Sequence, residues 1–281
     1  MELNYLAERR EALGGSLPAR PKTAPKMDYI PTLEDYKDML GDSKGKEMST
    51  TMGFVRLLTK LCRDKQIGKY IVPIVPDEAR TFGMEGMFRQ LGIYSSVGQL
   101  YEPTDTGQIM YYREDQDGQV MEEGINEGGA FAAWLAAASS YSTHDSPLIP
   151  FYVFYSMFGF QRVGDLCWAA GDLQARGFLI GATSGRTTLN GEGLQHQDGH
   201  SHLLAATVPN CVAYDPTYAY ELAVIIQHGL EEMFVRRLPK YYYITAMNEN
   251  YVHPPMPKGC EEGLSLIHIS EPTRPERIGG G

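Results

Sequence analysis

Five short apolar runs constrain this chain more than any other feature: IVPIV at 71–75, IPFYVFY at 149–155, GFLIGAT at 177–183, CVAY at 211–214 and YYYITA at 241–246. A strand with one wet face alternates apolar and polar residues. Runs without that alternation suit strands buried on both faces of a parallel sheet. Among and after them lie INEGGAFAAWLAAASSY, SMFGFQRVGDLCWAAGDLQA and PTYAYELAVIIQHGLEEMF, each long and periodic enough to be a helix. Strand and helix in succession predict an α/β fold: a doubly wound, mostly parallel sheet with helices on both faces. In such folds ligands sit at the carboxyl ends of the strands.

Residues 1–14 carry helical spacing and stop at Gly14-Gly15, and SLPARPKTAPKMDYIP, with four prolines, reads as an extended connector. A short helix is expected around LEDYKDML. Ser49-Thr50-Thr51 then offers hydroxyls to cap an amphipathic helix through Phe54, Val55, Leu57, Leu58 and Leu61. The compact domain is expected to start near residue 48. At the other end, Leu264 through Arg274 resembles a sequencing-library adapter read in frame. Residues 264–281 are therefore expected to be a non-native tail, with His268 set aside and the natural polypeptide continuing past the junction.

Acidic residues number 35 against 25 basic ones, a formal net charge of -10. Nucleic acid is a poor default partner, because gripping phosphates takes clustered Lys and Arg. Cys62, Cys167, Cys211 and Cys260 form no CxxC pair, which argues against a zinc site and a disulfide scaffold and fits a reducing cytoplasm. No apolar run approaches the ~20 residues that span a bilayer, and the charged start is unlike a signal peptide. A cytoplasmic chain without a membrane partner is expected.

Four clusters could carry chemistry. Asp77 and Glu78 follow directly on a strand and precede Arg80; they stand at the ligand crevice or, more plainly, cap a turn. Glu127 opens an Ala- and Gly-rich helix, where it either meets a dry interior that raises its pKa or simply stabilises the helix dipole. Alternating aromatics at 151–162 are core material, yet Tyr155 and Phe158 lie where strand gives way to helix and a flat heterocycle could stack. In LNGEGLQHQDGHSH the histidines His196, His200 and His202 accompany Asp198 in a Gly-rich loop. Imidazoles placed for hydrogen bonding or proton transfer are expected there rather than zinc ligands. GATSGRTT lacks the G-K-[ST] ending of a phosphate loop. Cys167, beside Trp168, reads as core.

Taken together, DEARTFGMEG, EGINE, FYVFYSMFGFQRVGDLCWAAGD, QARGFLIGATSGRTTLNGEGLQHQDGHSH and YYYITAMNENY resemble the middle domain of the decarboxylating component of homodimeric-type pyruvate dehydrogenases, and the likeness runs from about residue 2 to 263. The resemblance implies a thiamine diphosphate-binding fold of the pyrimidine-binding type. It divides the chain into the end of a preceding diphosphate-binding domain with its connector (1–47), the pyrimidine-binding domain (48–247), a linker to a further domain (248–263) and the tail. It makes Glu127 the carboxylate that hydrogen-bonds the pyrimidine ring nitrogen, Tyr155 and Phe158 its ring contacts, and His196 an aid to proton transfer or lipoyl acylation. Asp77 and Glu78 become acids bordering the same centre, and 97–113 a loop that orders over it. It implies pyruvate as substrate, a second copy of the chain, a lipoyl-bearing acetyltransferase partner, and magnesium held by a preceding domain whose G-D-G motif is absent here. The chain alone would then be inactive. A dehydrogenase for another 2-oxo acid, a transketolase-like enzyme and a non-catalytic dimerisation module stand as alternatives.

Overall fold

The computed structural model describes residues 2–12, 25–76, 79–102, 112–185 and 192–266. Helix α1 (Glu2–Ala12) exposes residues 3–12 to solvent. A 3-10 turn at Leu33–Tyr36 runs into α2 (Lys37–Leu40), and strand β1 (Glu47–Met48) leads to α3 (Thr50–Arg63). Ser49 caps α3 as expected, its hydroxyl accepting from the Met52 amide at 3.1 Å. Then come β2 (Ile71–Val75), α4 (Glu85–Leu91), β3 (Ile93–Tyr94), β4 (Glu114–Asp115), β5 (Met121–Glu122), α5 (Glu127–Thr143), β6 (Ile149–Tyr155) and α6 (Gly159–Asp172). The chain finishes with β7 (Phe178–Ala182), α7 (Ser201–Ala205), β8 (Cys211–Tyr214), α8 (Ala219–Leu230), β9 (Tyr241–Thr245), β10 (Tyr251–Val252) and α9 (Glu261–Leu266).

Six strands form one sheet in the order β5-β2-β6-β7-β9-β8, and every pairing in it is parallel. All five apolar runs are strands of this sheet. On one face Phe151, Val153, Phe178, Ile180, Tyr242 and Ile244 join the apolar sides of α3 and α8. On the other, Tyr152, Phe154, Leu179, Tyr241 and Tyr243 meet α5, α6 and α7 through Phe131, Trp134, Cys167 and Ala205. Successive residues of a strand point to opposite faces, and with helices on both sides neither face can be polar. The same core draws in Met27, Tyr36 and Met39, upstream of residue 48, and α9 crosses residue 264, where Tyr214 Oη donates to the Ser265 carbonyl at 2.8 Å.

The chain leaves β2 towards β5 and leaves β6 the opposite way, towards β7. The switch point therefore lies between β2 and β6, and the crevice beyond their carboxyl ends is where such folds bind ligands. Phe82, after β2, touches Tyr155, the last residue of β6, at a ring separation of 5.3 Å.

Candidate active site

Glu127 is the first residue of α5, and the local sequence explains its placement. Asn126 caps the helix by accepting from the Gly129 amide at 3.0 Å. Gly129 is required for that cap, since a Cβ there would stand 2.5 Å from Asn126 Nδ2. The carboxylate that follows sits at the positive end of the helix dipole. Its side chain is 17% exposed and bonds Nη1 of Arg162. The Arg162 guanidinium also lies over the Phe158 ring, 3.9 Å from its centre, a cation–π contact.

Tyr155 and Phe158 are brought together by a tight turn in which the Phe158 amide donates to the Tyr155 carbonyl at 2.9 Å. Gly159 lets this turn close onto the strand: a Cβ there would fall 2.0 Å from the Phe154 ring. The two rings meet edge to face at 5.9 Å. His196, on a 3-10 turn at Leu194–His196, completes the cluster at 5.3 Å from Tyr155 and 5.4 Å from Phe158. Its Nε2 faces Glu192 Oε2 at 3.2 Å, while Nδ1 is buried without a hydrogen-bond partner among the described residues. Glu127, Tyr155, Phe158 and His196 thus form one connected group, with Arg162 as the link. Asp77 and Glu78 lie outside the described residues, as do residues 103–111 of the 97–113 stretch.

The histidine segment is more ordered than a Gly-rich loop. Asp198 braces the start of α7 from two residues before its N-cap His200, accepting from the Ser201 hydroxyl at 2.5 Å and from the Ser201 and His200 amides at 3.0 and 3.1 Å. Burial pushes its carboxyl up, but these hydrogen bonds outweigh burial and hold it below the usual range. His202, on α7 itself, reaches Thr245 Oγ1 at 2.9 Å, and burial keeps its imidazole below the ordinary histidine value against the opposing pull of Asp215 and Asp198. His202, Asp198, Asp215, Ser184 and Thr245 line a crevice of about 240 Å³ at the carboxyl ends of β7, β8 and β9. Glu123, just past β5, has its carboxyl pushed up by burial. Among the described residues no group of three His, Cys, Asp or Glu side chains is arranged to hold a metal ion. No described helix is long and apolar enough to cross a membrane.

Sequence reasoning missed Arg162 and Asn126 as participants, and it named His202 only as one of three loop imidazoles, not as a residue of α7 bonded to Thr245. The N-x-x-G spacing before the Ala-rich run was a readable sign of the cap. Arg162 carried no such sign, since its partner lies 35 residues away.

A carboxylate at a helix start, two aromatic rings and a half-buried imidazole whose Nδ1 has no partner among the described residues thus stand together. The profile of the family described as "Pyruvate dehydrogenase E1 component middle domain" matches residues 29–254. The chain belongs to this family. The pyruvate dehydrogenase E1 component of Pseudomonas aeruginosa is 66% identical to it over 263 residues, which are 94% of this chain and 30% of that protein. The E1 component of Escherichia coli K12 is 59% identical over 264 residues, again 94% and 30%. The chain therefore spans about 30% of the length of these E1 relatives. Among solved structures, the transketolase from Leishmania mexicana superposes with a TM-score of 0.59 at 15% identity, covering 80% of this chain and 28% of that one. Campylobacter jejuni transketolase gives 0.56 at 16%, covering 77% and 28%. At those identities the likeness establishes the shared fold: the all-parallel sheet of an E1 middle domain is built on the same plan as a transketolase domain.

Proposed function

We propose that this chain supplies the pyrimidine-binding half of a thiamine diphosphate site in an enzyme that oxidatively decarboxylates pyruvate and acetylates a lipoyl carrier. The observation that carries the reading is the joining of Glu127, through Arg162, to the Tyr155, Phe158 and His196 rings. An aminopyrimidine needs a carboxylate for its ring nitrogen and aromatic surface for its faces and edge. Glu127 and the two rings match those needs in kind. Membership of the family supports the same assignment.

The chemistry supplied by bound thiamine diphosphate is carbanion stabilisation at a keto carbon. The chain's residues serve placement and proton control. Glu127 holds a proton at the pyrimidine ring nitrogen, and Arg162 keeps its carboxylate oriented. Tyr155 and Phe158 fix the heterocycle's plane and exclude water from it. His196 Nδ1 takes or returns a proton on the substrate side. Asp77 and Glu78, which follow β2 in the sequence, are assigned to the same centre by the family resemblance alone.

In this reading residues 48–247 are the pyrimidine-binding unit, 1–47 connect it to a diphosphate-binding domain that holds magnesium, and 248–263 lead to a further domain. The protein works in the cytoplasm as a homodimer beside a lipoyl-bearing acetyltransferase, and the chain alone is inactive. The test is to graft residues 29–254 in place of the matching segment of the Pseudomonas aeruginosa E1 component and assay pyruvate decarboxylation with an artificial electron acceptor. The graft is expected to be active, and Glu127→Ala to lower kcat by about 10²-fold or more. Full activity in that variant refutes the role given to Glu127.

A further inference from the structure

We infer that Thr245 and Asp215 are positioning residues that fix His202 as its Nε2–H tautomer, leaving Nδ1 as a hydrogen-bond acceptor beside the crevice at the carboxyl ends of β7, β8 and β9. The Thr245 hydroxyl has a single proton, and it lies 2.5 Å from Asp215 Oδ1 and 3.3 Å from the Tyr214 carbonyl. An ionised carboxylate and a carbonyl only accept. The hydroxyl proton is therefore committed to one of them, and towards His202 Nε2, at 2.9 Å, the Thr245 oxygen can only accept. Nε2 must carry a proton.

Burial holds the ring neutral, against Asp215 and Asp198, so Nδ1 then bears a lone pair. That atom is buried and has no partner among the described residues. The groups facing the ring leave no ambiguity: Tyr243 packs its ring against it at 5.2 Å, Asp198 is occupied with the Ser201 hydroxyl and the α7 amides, and Asp215 is occupied with Thr245. A buried acceptor is ordinarily satisfied by water or ligand. The crevice is polar and large enough to admit either.

This extends the proposed site with a second proton-accepting imidazole, carried by α7 rather than by the 3-10 turn that holds His196. It rests on that proposed reading only for the use made of the nitrogen; the tautomer stands on the hydrogen-bond pattern.

The experiment is ¹⁵N NMR of the 281-residue chain labelled at histidine, with the His202 signals assigned by their loss in His202→Gln. The expected spectrum near neutral pH has a protonated Nε2 and an unprotonated Nδ1. Thr245→Ser keeps that pattern, Thr245→Val loses it towards a mixture of tautomers, and Asp215→Asn lowers the pH at which the ring protonates. An Nδ1–H tautomer in the unaltered chain, or an unchanged pattern in Thr245→Val, overturns the inference. If Thr245→Val does not fold, the unaltered chain and Thr245→Ser decide the tautomer. The positioning role is read in the graft: Thr245→Val is expected to lower kcat by about tenfold or more with little change in KM, and Thr245→Ser to restore it. Equal kcat in an active Thr245→Val graft contradicts that role, whereas an inactive unaltered graft counts against the proposed function instead.

Discussion

Gly181, the fourth of the five residues of β7, packs against Tyr243 of the neighbouring strand β9, and Gly181→Ala tests that packing. A Cβ at 181 would lie 2.5 Å from Tyr243 Oη, 2.9 Å from Ser156 Cβ and 3.0 Å from Tyr243 Cε2. Non-bonded carbons settle at about 3.5–4.0 Å, so roughly 0.5–1 Å must be found. Little can yield, because Tyr243 is fully buried and its ring stacks on Phe154 at 6.1 Å and meets Phe160 edge-on at 4.9 Å. Overpacking a rigid core costs about 1–3 kcal/mol, and this site should reach about 2–3 kcal/mol. At about 2–4 °C per kcal/mol for a domain of this size, Tm should fall by roughly 4–12 °C in scanning calorimetry. The Tyr243 hydroxyl has Ser201 as its side-chain neighbour for a hydrogen bond, so Tyr243→Phe alone should cost about 0.5–1.5 kcal/mol. The same change should relieve Gly181→Ala, with a favourable coupling of about 0.5–3 kcal/mol in the double mutant. A Gly181→Ala protein within about 0.5 kcal/mol of the parent, or a strictly additive double mutant, refutes this account of the packing.

Glu127→Gln should separate stability from activity. Its ion pair with half-exposed Arg162 is screened, so chemical unfolding should move by less than about 1 kcal/mol while decarboxylation by the graft collapses. Stability should also depend on pH through His202 and His228, both held below the ordinary histidine value by burial. From about pH 6.5 downward the unfolded chain takes up protons that the folded chain refuses, so stability falls as the pH falls, and His202→Gln should flatten that slope in urea titrations. Asp198 and Glu232 are held below the carboxylate range despite burial, by hydrogen bonds from Ser201 and Lys240; their contribution is present above that range and lost as the pH drops through their folded values. Ser49→Ala should cost about 1 kcal/mol in thermal melts by removing the α3 cap.

The sheet was legible because burial on both faces writes itself into sequence as unbroken apolar runs, α3 because the Ser49 cap and a 3.6-residue period mark it, and α5 because of its long Ala-rich run. The edge strand β5 left no such mark: it is only Met121–Glu122, paired with β2 on one side alone. The short α4 and α7 escaped for the same reason. Of the candidate residues, Tyr155, Phe158, His196 and Glu127 could be picked out one by one at element boundaries. What could not be read was their connection, because Arg162 meets Glu127 across 35 residues and Thr245 meets His202 across 43. Such contacts arise from the strand order, which places β9 between β7 and β8.

The central claim is that Glu127 controls the proton on a bound aminopyrimidine, and the loss of the thiazolium C2 proton reports on that most directly. In the Pseudomonas aeruginosa graft, hydrogen–deuterium exchange at thiamine diphosphate C2, followed by NMR after acid quench, should be accelerated by the unaltered protein. In Glu127→Gln it should slow by about 10²-fold or more, with the cofactor still bound. Equal exchange rates in the two proteins at saturating cofactor contradict the claim.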